Sequence, residues 1–538
     1  MTAMVPILGS PQASPSVPQQ YQARTGVPEP PAQHQRVAVI VHHGMGQQVP
    51  YETIEGVANA IWSRTGQEGT QPVVRRVRLG VAGKDEIEPD LVRAELRVQS
   101  QAEGQQRNFD VHIYESYWAP LTEGQVTVRD VISFLKRAGW NGICNTAGRT
   151  FHRWMFGHAY EFELPKISLV LVLSGLLALI FSLVFINAVL TAAAAAHAIG
   201  SHDPFPSGHM LAALTWDMLL LDIAAIAIFL GIVIGGFPKW RPNEGRAAEA
   251  VRHVTVILGW LLIYGGAVVV LFSALAMAVA LRSWDKWPFS YQPGGWSHFV
   301  DNYPSWVFVI WAIELGAAAA VRWALIEYVG DVTAYIAAYS VSKFWKLRQD
   351  IRDVAMKVTR AVYRAKAMQG DAFLYEKIIV VGHSLGSVIS YDALNSLLLE
   401  AVLSAQPLRV SERTRMFLTF GSPLDKTAFL FRTLKDMHSA VREVGAAAVQ
   451  PMISDYANRP REWVNLWSRS DIISGALDYY DPPTPQNARD KARFAAAVAH
   501  AKAVQNIIDP AARTPLKAHV EYWGGALFAQ ELVRAITT

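Results

Sequence analysis

The sequence has little of what several protein classes require. Its 538 residues include one cysteine, Cys144, so the chain cannot form an internal disulfide framework, which fits a reducing compartment. Charged residues make up 17% of the chain, whereas an average soluble protein has about 25%. The formal net charge is only +4, so we expect no nucleic-acid partner. What dominates instead is apolar sequence, at 51% of the residues.

Patterns of apolar residues predict the main elements. Residues 1–35 are rich in Pro, Gln, Ser and Ala, which predicts a disordered tail, and they lack the features of a secretory signal peptide. The run Arg36–Val41, RVAVIV, is typical of a strand buried on both faces. We predict further strands at Val73–Leu79, Ala94–Val98, Phe109–Tyr117, Met416–Phe420 and Trp463–Trp467. We predict long helices at Asp331–Met368, which is basic, and at Arg489–Ile507, which is Ala-rich.

The stretch Glu376–Asp392, EKIIVVGHSLGSVISYD, is typical of a buried strand, a sharp turn and a helix. Its turn is a G-x-S-x-G pentapeptide in which Gly382 and Gly386 flank Ser384, with His383 and Leu385 between them. In such an elbow the serine hydroxyl is exposed on a strained turn, and the glycines allow close backbone approach. The pattern predicts that Ser384 is a nucleophile. The alternative is an ordinary strand–turn–helix.

A second glycine-containing loop, HHGMG at residues 42–46, follows the first predicted strand. In hydrolases with a nucleophile elbow, a loop of this kind supplies one backbone N–H of the oxyanion hole. We therefore predict that the amides of Met45 and Leu385 are the two donors, with His43 and Gly44 as supporting residues of the loop. The alternative is a plain glycine turn.

An acid and then a histidine are expected after the nucleophile in this kind of site. Asp471 follows the predicted strand Trp463–Trp467, and His519 lies in a predicted loop near the end of the chain. We assign His519 as the general base and Asp471 as the acid that orients it. Asp425, which follows the strand after the elbow, is the main alternative acid. The other candidates are Asp478, His438 and His500.

Four segments together resemble the lipase branch of the α/β-hydrolases: GHSLGSVISYDAL, TFGSPL, NLWSRSDII and AHVEYW. They are similar to class 3 lipases and to intracellular DDHD-type phospholipases A1. The resemblance covers residues 36–46 and 375–525. It implies an α/β fold with a doubly wound, mostly parallel sheet, and it implies the same roles for Ser384, Asp471 and His519.

The expected reaction is hydrolysis of an acyl ester through an acyl-serine intermediate, with no cofactor and no metal. The expected substrate is a phospholipid or acylglycerol of the membrane bilayer. Two alternatives remain open at this point. One is a thioesterase or depalmitoylase, and the other is a non-catalytic membrane scaffold with a hydrolase-like domain. The oligomeric state is not predicted.

Long apolar runs occupy the middle of the chain, and a membrane-spanning helix needs about 20 such residues. We predict that residues 166–330 form a transmembrane four-helix insert that interrupts the α/β-hydrolase domain, whose halves are residues 36–165 and 331–538. The predicted spans are residues 167–189, 218–237, 254–281 and 306–329. Asp222, Glu314 and Arg322 lie within them, and we interpret these residues as pairs between helices.

The insert also predicts a location. The two flanking halves must meet on one side of the bilayer, which requires an even number of crossings. The loop between the second and third spans carries Lys239, Arg241, Arg246 and Arg252, whereas the loop between the first two has no Lys or Arg. The positive-inside rule therefore predicts a multi-pass integral membrane protein with the catalytic domain and both termini in the cytoplasm.

Overall fold

The computed structural model shows a mixed β-sheet with helices on both faces. The residues that it describes are 35–45, 49–65, 72–79, 90–102, 105–123, 125–127, 130–131, 133–134, 151–155, 158–162, 220, 223–224, 227–228, 231, 254, 257–272, 316, 335, 342–367, 372–404, 408–431, 449–471, 473–482, 492, 502–514 and 517–538.

Eight strands form the main sheet of the described residues. They are β1 (Gln35–His42), β2 (Val73–Arg78), β3 (Asp90–Ala102), β4 (Gln105–Ser116), β7 (Lys377–His383), β8 (Thr414–Phe420), β9 (Trp463–Trp467) and β10 (Val504–Ile508). A separate antiparallel pair consists of β5 (Phe151–Met155) and β6 (His158–Phe162). The strands predicted from the sequence are confirmed, and β3 extends beyond the predicted Ala94–Val98 at both ends.

The spatial order of the sheet is β10-β9-β8-β7-β1-β4-β3-β2. The six strands from β10 to β4 are parallel, whereas β3 is antiparallel to both of its neighbours. Strand β1 pairs with β7, which joins two parts of the chain that are far apart in sequence. Because the central strands are parallel, the carboxyl ends of β1, β7, β8 and β9 lie at one edge, where ligands of open α/β sheets bind.

Helices cover both faces of the sheet, and the described residues also include three short 3-10 turns. The α-helices are α1 (Glu52–Thr65), α2 (Ser342–Arg364), α3 (Leu385–Leu403), α4 (Val410–Arg413), α5 (Leu424–Phe431), α6 (Pro451–Ser454), α7 (Ala518–Glu521) and α8 (Ala526–Thr537). The 3-10 turns are Ala119–Leu121, Asp478–Tyr480 and Tyr522–Gly524.

The alternation of side chains in a strand divides the core into two layers. In β1, Val37, Val39 and Val41 pack on the face covered by α1 and α8, and Ala38 and Ile40 pack on the face covered by α2 and α3. Both sets are fully buried. A strand covered on both faces needs apolar residues at every position, which explains the continuous RVAVIV run.

The basic helix α2 is anchored to α3. The guanidinium of Arg348 lies 2.9 Å from the carboxylate of Asp392, and that of Arg360 lies 3.0 Å from the carboxylate of Glu400. Some of the basic side chains of this helix therefore form ion pairs within the fold.

No helix in the described ranges is both long enough and apolar enough to cross a membrane. This finding contradicts two predictions, namely the transmembrane four-helix insert in the fold and the multi-pass location with a cytoplasmic catalytic domain and termini. Apolar composition is not sufficient, because a span needs about 20 consecutive helical residues. Helix α2 has 23 residues, but it is rich in Lys, Arg and Asp.

Much of the predicted insert lies outside the described residues. This holds for all of residues 167–189, for most of 218–237 and for 306–329 apart from residue 316. The predicted tail, residues 1–35, also lies outside them except for Gln35, which is the first residue of β1. The α/β part of the predicted fold class agrees with the mixed sheet and its helices.

Two further predictions differ from the structure. Residues 504–507, placed at the end of a helix from the Ala-rich pattern, belong to the strand β10. Pairing with β9 overrides the local helix preference there. His519, expected in a loop, lies on the short helix α7.

Candidate active site

Ser384 lies at the junction of β7 and α3. Every residue of β7 is buried, and α3 begins at Leu385, immediately after the serine. The backbone of Ser384 has φ 51° and ψ −128°, a conformation that costs a non-glycine residue roughly 1 to 3 kcal/mol. The strand-to-helix turn is therefore sharp and strained, as in a nucleophile elbow.

The two glycines of the pentapeptide are required by close backbone contacts. A Cβ atom at Gly386 would lie 2.1 Å from the carbonyl oxygen of His42, at the end of β1. A Cβ atom at Gly382 would lie 2.6 Å from Cα of Ser387. Both separations are too short for any side chain. The two glycines of the G-x-S-x-G pattern are therefore required by close packing within the elbow and between the elbow and β1.

The structure brings Ser384, His519 and Asp471 together. Ser384 Oγ lies 2.8 Å from Nε2 of His519, and Nδ1 of His519 lies 3.0 Å from Oδ2 of Asp471. A carboxylate only accepts hydrogen bonds, so Nδ1 of His519 carries the hydrogen and Nε2 accepts that of the serine hydroxyl. This is the tautomer that a general base needs in order to remove the serine proton.

Asp471 is buried and accepts several hydrogen bonds. The amide of Ile473 donates to its Oδ1 over 2.9 Å, and the hydroxyl of Tyr522 donates to its Oδ2 over 3.0 Å. Burial alone would raise the pKa of this carboxyl. The electrostatic attraction and hydrogen bond of His519, with the bonds from Ile473 and Ser474, outweigh burial and hold the pKa of Asp471 well below its usual range.

Sequence reasoning missed Tyr522 and Ser474. The Tyr522 hydroxyl lies 2.9 Å from Oγ of Ser474 as well as contacting Asp471. The spacing in the sequence could have indicated Tyr522. It follows His519 by less than one helical turn, and residues at this spacing lie on the same face of a helix. Ser474 gave no comparable signal, since its position depends on how the loop after β9 folds.

The loop after β1 lies against the nucleophile. A Cβ atom at Gly44 would lie 2.9 Å from Cβ of Ser384. Met45, the next residue, packs its side chain on the core between the sheet, α2 and α3. Leu385 is the first residue of α3, so its N–H has no acceptor within the helix. Residue 46 of the predicted loop lies outside the described residues.

His43 fixes the shape of this loop. Its Nδ1 donates to the carbonyl oxygen of Gly44 over 2.8 Å, and its Nε2 accepts the N–H of Trp118 over 3.1 Å. Its ring also stacks on the indole of Trp118, with the centroids 4.6 Å apart. Burial lowers the pKa of His43 to about 4, so the ring is neutral and its tautomer is set by its two partners.

Asp425, the alternative acid, has a different partner. Its Oδ2 lies 3.4 Å from Nζ of Lys426, and that ammonium also donates to the carbonyl oxygen of Ser474 over 2.7 Å. Burial raises the pKa of Asp425, and the lowering effect of Lys426 does not offset it. Asp471, not Asp425, is therefore the carboxylate that accepts from His519.

The remaining candidates do not join the site. Asp478 begins a 3-10 turn, and its Oδ1 accepts from the side-chain amide of Asn506 over 3.0 Å. His438 and His500 lie outside the described residues. Within the ranges that the structure covers, no group of three or more His, Cys, Asp or Glu side chains is arranged to hold a metal ion.

Comparison of the chain with family models, with curated proteins and with solved structures finds no match. The geometry of the site therefore has to carry the functional interpretation.

Proposed function

We propose that this protein is a serine hydrolase that cleaves acyl esters through an acyl-serine intermediate. The observation that carries the proposal is the continuous chain of contacts from Ser384 Oγ through the His519 ring to Asp471, at 2.8 and 3.0 Å. This order of groups is that of a Ser-His-Asp triad, in which each residue has a defined role.

In the first half of the reaction, Ser384 Oγ attacks the ester carbonyl carbon while its proton moves to Nε2 of His519. Asp471 stabilises the imidazolium that forms, since it is ionised and bonded to Nδ1. The oxyanion of the tetrahedral intermediate would accept from the amides of Leu385 and Met45, and one such donor is worth about 3 kcal/mol of the barrier. The ester C–O bond then breaks, and the leaving alcohol takes the proton from His519.

The second half of the reaction releases the acid. Water attacks the acyl-serine carbonyl carbon and gives its proton to Nε2 of His519. The bond to Ser384 Oγ breaks, and the serine recovers its proton from the imidazolium. The enzyme returns to its starting state, and water is the only reactant that this half of the reaction consumes.

We propose that the acyl group comes from a lipid, an acylglycerol or a phospholipid. The resemblance of the elbow and acid-loop segments to lipases supports this choice. So do exposed apolar side chains in segments next to site residues in the chain. Val520, next to His519, is 59% exposed, and Val49 and Tyr51, between the loop after β1 and α1, are 63% and 53% exposed. The turn at Tyr522–Gly524 contacts α1, where a Cβ atom at Gly56 would lie 3.3 Å from Trp523.

A substrate panel tests the proposal. We would measure hydrolysis of p-nitrophenyl esters of increasing chain length, of a phospholipid, of an acylglycerol and of an acyl-CoA thioester, with the wild type and with Ser384→Ala. We expect ester hydrolysis that rises with chain length and falls by roughly 10³-fold or more in Ser384→Ala. Preference for the thioester would favour a thioesterase. Equal rates in both proteins would contradict a serine mechanism.

A further inference from the structure

His383, the residue before the nucleophile, contacts the main chain of the base. Its Nε2 lies 2.9 Å from the carbonyl oxygen of His519. A carbonyl oxygen can only accept, so Nε2 of His383 carries the hydrogen and the ring has a single tautomer. Ser384 and His383 thus bond to the same residue, one to its ring and the other to its backbone.

The ring of His383 is held on several sides. Its centroid lies 5.0 Å from that of His519, 4.8 Å from that of Phe420 and 5.4 Å from that of Trp523. Gly421, with φ 59°, passes beneath both histidines, and a Cβ atom there would lie 3.1 Å from Cε1 of His519 and 3.3 Å from Nε2 of His383. The hydrogen bond therefore links two closely packed parts of the site.

The position of the base needs such a link. The bond from Nδ1 of His519 to Asp471 sets the tautomer and direction of the ring. It does not fix the distance between α7 and the elbow, on which the contact between Ser384 Oγ and Nε2 depends. The two elements lie 135 positions apart in the chain, and the bond from His383 ties them directly.

The charge state of His383 is suited to this role. Burial, reinforced by the neighbouring His519, lowers the pKa of His383 to about 3. The ring therefore stays neutral and does not oppose the positive charge that the proposed reaction places on His519. A lysine or arginine could also donate to the carbonyl, but its charge would disfavour the imidazolium.

We propose that His383 is a positioning residue, which holds the main chain of His519 at the distance from the elbow that proton transfer from Ser384 requires. This inference rests on the proposed function and adds to it a residue that acts through the base. A displacement of about 1 Å in such a site can lower the rate about 100-fold. The effect should fall on the chemical step and not on substrate binding.

Two substitutions separate the hydrogen bond from packing. His383→Phe keeps an aromatic ring and removes the donor, whereas His383→Gln keeps an N–H near the position of Nε2. A matched control is His112→Phe, which replaces another buried histidine, located on β4, where its Nδ1 lies 2.7 Å from the hydroxyl of Tyr375. Each variant would be assayed for ester hydrolysis, rate of fluorophosphonate labelling and melting temperature.

We expect kcat and the labelling rate of His383→Phe to fall about 10- to 100-fold with KM unchanged. His383→Gln should keep most of both rates, and His112→Phe should lose melting temperature but not kcat. Equal rates in the two His383 variants, or a wild-type rate in His383→Phe, would overturn the inference and leave the proposed function intact. Absence of both hydrolysis and labelling in the wild type would overturn the proposed function and this inference with it.

Discussion

Two buried aspartates follow neighbouring strands of the sheet, and their environments differ. Asp471, after β9, accepts hydrogen bonds from His519, Tyr522 and the amide of Ile473. Asp425, after β8, has the ammonium of Lys426 at 3.4 Å. Burial raises the pKa of both carboxyls, but only at Asp471 do the partners outweigh it, so the pKa of Asp471 is low and that of Asp425 is raised.

Position after a strand does not by itself place a carboxyl against the histidine. Both carboxyls lie at the carboxyl edge of the sheet, where a triad acid is expected. The number and direction of the hydrogen bonds decide which carboxyl has a lowered pKa and accepts from His519. Asp425 instead joins Lys426 in supporting the loop that carries Asp471, through the bond from Lys426 to Ser474.

The sharpest test of the comparison is Asp471→Asn. The amide keeps the shape of the side chain, but it cannot hold His519 in the tautomer whose Nε2 accepts from Ser384. We expect kcat to fall about 10⁴-fold, with a melting temperature that remains measurable and shows folding. A loss of less than about 10-fold would show that Asp471 is not the triad acid.

A second contrast is between ionised Asp471 and four buried histidines that stay neutral. Burial lowers the pKa of His42 and His383 to about 3 and that of His43 to about 4, from 6.5. At a pH between these folded-state pKa values and 6.5, the unfolded chain binds more protons than the folded protein does. The stabilisation of the folded state that depends on neutral histidines is therefore complete above pH 6.5 and is lost as the pH falls. His112, on β4, is also buried, and its pKa is lowered well below 6.5. Four such groups contribute about 5 kcal/mol per pH unit to the slope of the free energy of unfolding, or about ten-thousandfold in the unfolding constant.

Denaturant titrations at several pH values between 4.5 and 7 check this slope. His42→Gln serves as the comparison, because removing one of the four groups should reduce the slope by about 1.4 kcal/mol per pH unit, a quarter of the contribution of the histidines. An unchanged slope would mean that His42 is not neutral in the folded protein.

A smaller effect is expected for Tyr522→Phe. The substitution removes one donor to Asp471 and keeps the ring, which packs against Phe420 with the centroids 6.1 Å apart. A hydrogen bond to a charged group is worth about 1.5 to 3 kcal/mol, so the cost should be roughly 10- to 150-fold in kcat. Steady-state kinetics would measure it, and a loss as large as that of Asp471→Asn would give Tyr522 a direct role instead.

The smallest effect is expected for Asp425→Asn. This side chain does not contact His519, so kcat should stay within about 3-fold of the wild type. Because the buried carboxylate has a raised pKa, the melting temperature at neutral pH should be unchanged or higher. A fall in kcat similar to that of Asp471→Asn would reverse the assignment of the two acids.

The strands and the elbow could be predicted from the sequence because their signals are local. Continuous β-branched runs identify strands buried on both faces, and the glycines of the pentapeptide reflect backbone contacts next to Ser384. The order of the triad residues also follows a general rule for these sites. The choice between Asp425 and Asp471 could only be an interpretation, since it depends on contacts between separate loops.

Other features could not be predicted because they depend on tertiary contacts. The strand β10 lies in an Ala-rich region with a helical pattern, and its pairing with β9 decides its structure. The hydropathy of the central region predicted membrane spans, but apolar residues and helix length are separate requirements, and no described helix meets both.

The central claim is that His519 and Asp471 activate Ser384 for attack. Fluorophosphonate labelling of the full chain measures this attack without requiring a known substrate, and mass spectrometry identifies the modified residue. We predict one adduct, on Ser384, which is absent in Ser384→Ala and much slower in His519→Ala. A folded wild-type protein that does not react, or an adduct that forms equally fast in His519→Ala, would contradict the account.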